Sequence, residues 1–135
     1  MLRVLAQSEF PEDSIEHKHQ LFNKDADDDY WLAELAKRSP HWIILCGDTR
    51  ISKSPTLQAA WLEAGLTTFF FWKGWMHIPL WEQASKLIKI WPDIRKSAGK
   101  ADLGTGFKVP HDGKIEELAF LKAARSRRLL SVSKL

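Results

Sequence analysis

The stretch WIILCGDTRISKSPTLQAAWLEAGLTTFFF, Trp42 to Phe71, decides the fold. It opens on a continuous apolar run of strand length, Trp-Ile-Ile-Leu-Cys. A run without alternation suits a strand covered on both faces, the habit of parallel sheets. Gly47-Asp48-Thr49-Arg50 then reads as a turn. Pro55 suits an early position of a helix reaching Ala64, where N–H groups lack intrahelical partners anyway. Gly65 suits its C-cap, because glycine accepts the left-handed backbone that ends helices. Thr67 to Trp72, rich in Thr and Phe, predicts a second buried strand.

Upstream of this unit, Trp31, Leu32, Leu35 and Ala36 recur at helical spacing, and that helix ends near Ser39-Pro40. Asn23 to Asp29 is an acidic loop whose last aspartates mark the helix start. Ser14 to Gln20 alternates weakly and predicts a short strand. Met1 to Gln7 reads as the last turns of a helix, broken at Phe10-Pro11-Glu12-Asp13. Downstream, a turn at Lys73-Gly74-Trp75 leads to a helix opening near Pro79, with Leu80, Trp81, Ala84, Leu87, Ile88 and Trp91 three and four apart. Phe107 to Pro110 predicts a short strand, and residues 115–130 a final amphipathic helix with a basic end. The order strand, helix, strand, helix, strand, helix predicts an α/β domain with a parallel sheet and covering helices.

At 135 residues the chain suits one domain. Its 44% hydrophobic content, with seven Trp and seven Phe, excludes a disordered chain. No apolar run approaches membrane-spanning length, and the N-terminus lacks a basic segment followed by an apolar one. A single cysteine, Cys46, forms no internal disulfide and fits a cytoplasmic, reducing compartment, as a small buried side chain. Residues 1–29 hold three basic and eight acidic side chains, a balance of −5; residues 30–135 hold seventeen and nine, a balance of +8. An acidic cluster against a basic remainder suits a metal centre beside a polyanion, and equally an ordinary solvated surface.

In open α/β sheets, ligands sit beyond the carboxyl ends of the strands. Asp48 falls there, directly after the apolar run, and a crossover connection would bring Asp28 and Asp29 to the same edge. Clustered carboxylates repel, which raises their pKa values unless a cation neutralises them. Hard oxygen donors suit Mg²⁺ or Mn²⁺, and such an ion serves phosphodiester hydrolysis. The same residues also have ordinary uses: Asp28 and Asp29 at a helix N-terminus, Asp48 in an Asx turn.

Three stretches, DADDDYWLAELA (Asp25 to Ala36), the central Trp42 to Phe71, and KGWMHIPLWEQASKLIKIWP (Lys73 to Pro92), together resemble the PIN-like domain family, which includes VapC-type toxin ribonucleases. The third is similar to a VapC-related subgroup in which a Lys-Gly-Trp-Met turn precedes a Trp-Glu-Gln helix. The likeness runs over residues 1–114, leaving 115–135 as a C-terminal helix and basic tail. It implies a three-layer, Rossmann-like domain and an endoribonuclease dependent on Mg²⁺ (or Mn²⁺), often the toxin partnered by an antitoxin protein. Asp48 matches the family's acid after the strand, and Asp28, with Asp29 as alternative, the acid at the helix start. Family members begin with a central strand ending in an aspartate, whereas this chain begins inside what reads as the next helix. The resemblance thus implies a missing N-terminal strand, a gap in the middle of the sheet and one metal ligand fewer. Two readings follow: an RNase whose first strand lies upstream, and a catalytically inactive module binding RNA or a protein. The gap would also favour homo-oligomers.

Arg50, Lys53 and Lys73 follow strand ends, where they are expected to hold RNA phosphates. Lys122, Arg125, Arg127, Arg128 and Lys134 form a basic tail suited to nucleic acid or an acidic antitoxin. Trp72, Trp75, Trp81 and Trp91 are expected in the core, with Trp75, beside Gly74, the best exception for stacking on a base. His17 and His19 would share a strand face, without a third ligand for zinc.

Overall fold

The computed structural model describes residues 15–23, 25–39 and 41–118. In chain order its elements are α1 (Lys18–Leu21), α2 (Asp28–Arg38), β1 (Ile43–Cys46), a 3₁₀ turn (Thr49–Ser52), α3 (Pro55–Ala64), β2 (Thr67–Phe71), a second 3₁₀ turn (Trp75–His77), α4 (Leu80–Lys100), β3 (Gly106–Val109) and β4 (Glu116–Glu117). The expected crossover unit is present: β1 and β2 pair in parallel, with Ile43 opposite Thr67 and Cys46 opposite Phe70. Ser54 caps α3 by accepting from Leu57 N–H, Pro55 opens it, and Gly65 closes it at φ 66°. β3 continues the parallel sheet, with Thr68 opposite Gly106 and Phe71 opposite Val109.

The period of two along β2 divides the core. Phe70, 1% exposed, packs with Trp31, Leu32 and Leu35 of α2 and Trp61 of α3. Phe69, fully buried, joins Leu87, Trp91 and Ile94 of α4, and its ring stacks on Phe107 at 4.7 Å. Helices therefore cover both faces, which makes the domain three-layered with a mostly parallel sheet. Each of these phenylalanines contributes about 1.5–3 kcal/mol through burial.

Several expectations are corrected. Where a strand was expected over Ser14 to Gln20, the described residues of that stretch, from 15 onward, hold no strand but a helical turn at Lys18–Leu21, and Gln20 Oε1 accepts from His17 N–H at 3.3 Å. That local bond favours a turn over extended backbone, so the strand face proposed for His17 and His19 does not exist. Residues 116–117 are strand, not helix, because the exposed edge of β3 takes them up antiparallel, with Lys108 opposite Glu116. In α4 the buried residues are Ala84, Leu87, Trp91 and Ile94, while Leu80 and Trp81 are 66% and 68% exposed. A helix of this length runs roughly 30 Å, and a five-residue strand roughly 17 Å, so α4 is too long for the sheet to cover throughout, and its first turn is among the uncovered parts. The four described strands lie side by side in the order β1-β2-β3-β4, so the gap expected in mid-sheet does not fall among them. β1 and β4 are the outer two of these four, and Ile43 of β1 is 45% exposed. The expected N-terminal helix turns, most of the C-terminal helix and the basic tail lie outside the described residues.

Candidate functional site

Asp48 leaves β1 through Gly47, at the carboxyl end of the parallel strands. Its Oδ1 accepts from Arg50 N–H at 2.9 Å, closing the Asx turn that opens the 3₁₀ turn. The Arg50 side chain then folds back onto the same carboxylate. Nε donates to Oδ1 at 3.0 Å and to Oδ2 at 2.9 Å, and Nη2 donates to Oδ2 at 2.6 Å.

Asp28 reaches the site from the first turn of α2. Its Oδ2 lies 3.7 Å from the same Nη2 atom of Arg50. Its Oδ1 accepts from the indole Nε1 of Trp31 at 2.9 Å. Trp31 is buried, edge-on to Trp61 at 5.7 Å, and Trp61 is edge-on to Phe70 of β2 at 5.1 Å. A chain of aromatic contacts thus ties the orientation of Asp28 to the centre of the sheet.

The structure brings Asp28 and Asp48 to one cationic atom but does not bring Asp29 with them. Asp29 is exposed, and its Oδ1 accepts from Tyr30 N–H at 3.0 Å. Successive residues on a helix lie about 100° apart, so only one of the two aspartates can face β1. Among the described residues, no three His, Cys, Asp or Glu side chains are grouped to hold a metal ion. Two carboxylates still suit a Mg²⁺ ion that keeps its waters and takes phosphate oxygens. The guanidinium between them shows that the pair accommodates positive charge.

Electrostatics follow from that ion pair. Hydrogen bonds from the Arg50 side chain hold the Asp48 carboxyl below its ordinary value of 3.8, against the opposing effect of partial burial. The cation that clustered carboxylates require is supplied by the chain itself. Arg50 is held charged above its ordinary range by the same bonds. Burial pushes the Cys46 thiol up to about 11, with the Asp48 and Asp28 charges adding to the rise against the Asp48 N–H bond to its sulfur. Cys46 is part-buried in β1, and a raised thiol pKa is the opposite of what a reactive thiolate requires.

Lys53 ends the 3₁₀ turn after β1 and Lys73 follows β2, both exposed at the carboxyl end of the sheet. Trp75 is 5% exposed and donates Nε1 to the Val109 carbonyl at 3.0 Å, so it is not available to stack on a base. The exposed indole is Trp81. Trp31 was legible only as core; the spacing of three from Asp28 was the one signal that the pair shares a helix face. Likewise Asp48 and Arg50, two apart in a turn, could have been read as partners.

A family model described as a PIN like domain matches residues 1–73. Comparison with curated proteins and with solved structures gave no match.

Proposed function

This chain belongs to the PIN-like domain family, and from that premise we propose that it is a Mg²⁺- or Mn²⁺-dependent endoribonuclease. The family supports a nuclease-type fold. The observation carrying the finer reading is that Asp28 and Asp48, from a helix start and a strand end, contact one atom of Arg50. The same two carboxylates would hold the ion. When bound, it would activate a water and offset charge on the phosphodiester. The chain's own residues supply the rest. The Trp31 indole fixes Asp28, the Asx turn fixes Asp48, and the exposed Lys53 and Lys73 would hold backbone phosphates. A toxin role, with an antitoxin as protein partner, rests on the VapC-like stretch from Lys73 to Pro92.

The test is cleavage of single-stranded RNA by the purified chain with Mg²⁺. Asp48→Asn should lower the rate by at least on the order of 100-fold, the upper range for disturbing a metal site's partners. Equal cleavage by the variant rejects the assignment.

A second reading has its own observation: the Arg50 side chain engages both oxygens of Asp48. An inactive module would hold this ion pair permanently and bind RNA through its basic residues. Under that reading wild type and Asp48→Asn bind RNA alike, and neither cleaves.

A further inference from the structure

The Arg50 side chain is 71% exposed, against 36% for Asp28 and 32% for Asp48. It is the most exposed of the three. An ion pair this exposed contributes little to stability, since water solvates the separated charges nearly as well. Its geometry is nonetheless specific: the guanidinium edge forks onto Asp48, Nε to Oδ1 and Nη2 to Oδ2, and reaches Asp28 with Nη2. Carboxylate and phosphate present the same pair of oxygens to such a fork, so a phosphate can substitute for Asp48 as partner.

The charge arithmetic is simple. With Arg50 in place, the two carboxylates and the guanidinium leave one net negative charge for an incoming dication. With Arg50 withdrawn the pair offers two, and the attraction doubles at equal distance. The sheet places exposed Lys53 and Lys73 at the same end, so a bound polyanion would lie within the neighbourhood of Arg50.

We propose that Arg50 is an exchangeable cation, held by Asp28 and Asp48 until an RNA phosphate takes it, so that RNA binding and divalent-cation loading favour each other. The inference rests on the reading of Asp28 and Asp48 as the metal pair. It assigns Arg50 two successive partners where the sequence suggested only phosphate. Trp31 and the Asx turn keep both carboxylates in place when Arg50 leaves, because neither of those bonds uses the Arg50 side chain. The site is then preformed for a cation and blocked by a removable one.

Calorimetric titration of Mn²⁺ into the full chain tests this, with and without a single-stranded DNA dodecamer that offers phosphates but no 2′-hydroxyl to cleave. Without DNA, Arg50→Met should bind Mn²⁺ about two- to fivefold tighter than wild type, the range an exposed ion pair supports. DNA should tighten Mn²⁺ binding to wild type by a further factor of that size beyond its effect on Arg50→Met, where phosphate ligation alone remains. Mn²⁺ should in turn tighten DNA binding to wild type by the same excess over Arg50→Met, since coupling is reciprocal. Arg50→Gln provides the same test should Arg50→Met fail to fold. Equal Mn²⁺ affinities, with DNA acting alike on both, overturn the exchange and leave the metal pair standing. No Mn²⁺ binding by any form overturns the metal pair and the exchange together.

Discussion

Two buried indoles, Trp31 and Trp75, do different work. They are 7% and 5% exposed, and each donates its Nε1, at 2.9 and 3.0 Å. Trp75 lies on the α4 side of the sheet and donates to the Val109 carbonyl, a bond that fastens the turn after β2 to the end of β3. Trp31 lies on the α2 and α3 side and donates to the Asp28 carboxylate, beside Asp48 and Arg50. Burial and residue type are shared; the acceptor separates a structural fastening from a support of the site. A tryptophan's role is read from where its one donor points.

The largest expected effect should not separate the two. Truncating either indole to alanine empties a core position, and Trp75→Ala should cost about 3–5 kcal/mol of unfolding free energy by denaturant titration. A loss under about 1 kcal/mol would show that the site collapses freely and that Trp75 is not a fastening.

Phenylalanine replacements should pull the pair apart. In Trp75→Phe the Val109 carbonyl keeps its bond from Trp72 N–H at 2.9 Å, so RNA cleavage should match wild type. Trp31→Phe retains the ring contacts with Trp61 but leaves Asp28 Oδ1 without its donor, and cleavage should fall by about tenfold with the fold intact. Equal cleavage by the two variants would abolish the distinction.

The smallest effect concerns pH. Arg50 lowers the folded-state pKa of Asp48 below 3.8, so its contribution to stability is present above that value and is lost as pH falls through the folded pKa. Denaturation curves of wild type and Arg50→Met should differ slightly at pH 5 and converge as the pH falls through the lowered pKa of Asp48. The difference stays small because solvent screens the pair. A gap that widens on acidification would contradict the ion pair's role.

The crossover unit was legible because its signals agree: an apolar run, Pro55, Gly65 and a Phe-rich run each point to the same elements. Two elements were misread because long-range pairing and short-range capping compete with pattern. Glu116 and Glu117 carry no strand propensity, yet β3 offered unpaired backbone. At Lys18–Leu21, one Gln20 bond outweighed a weak alternation. The positions of Asp28 and Asp48 followed from strand and helix ends. What lies between them did not, since an arginine in a turn reads equally as solvated, phosphate-binding or folded back. Trp81 was misread for a third reason, that helical spacing does not say where the sheet stops. No helix among the described residues is long and apolar enough to cross a membrane, in keeping with the absence of such a run in the sequence.

Manganese-induced broadening of the tryptophan indole N–H signals in nuclear magnetic resonance tests the carboxylate pair most directly, because one of those protons points at Asp28. The pair predicts that substoichiometric Mn²⁺ broadens the Trp31 signal well before that of Trp75, and that Asp48→Asn removes the effect. A Trp31 signal untouched by Mn²⁺, or broadened equally in Asp48→Asn, would contradict a shared ion at Asp28 and Asp48.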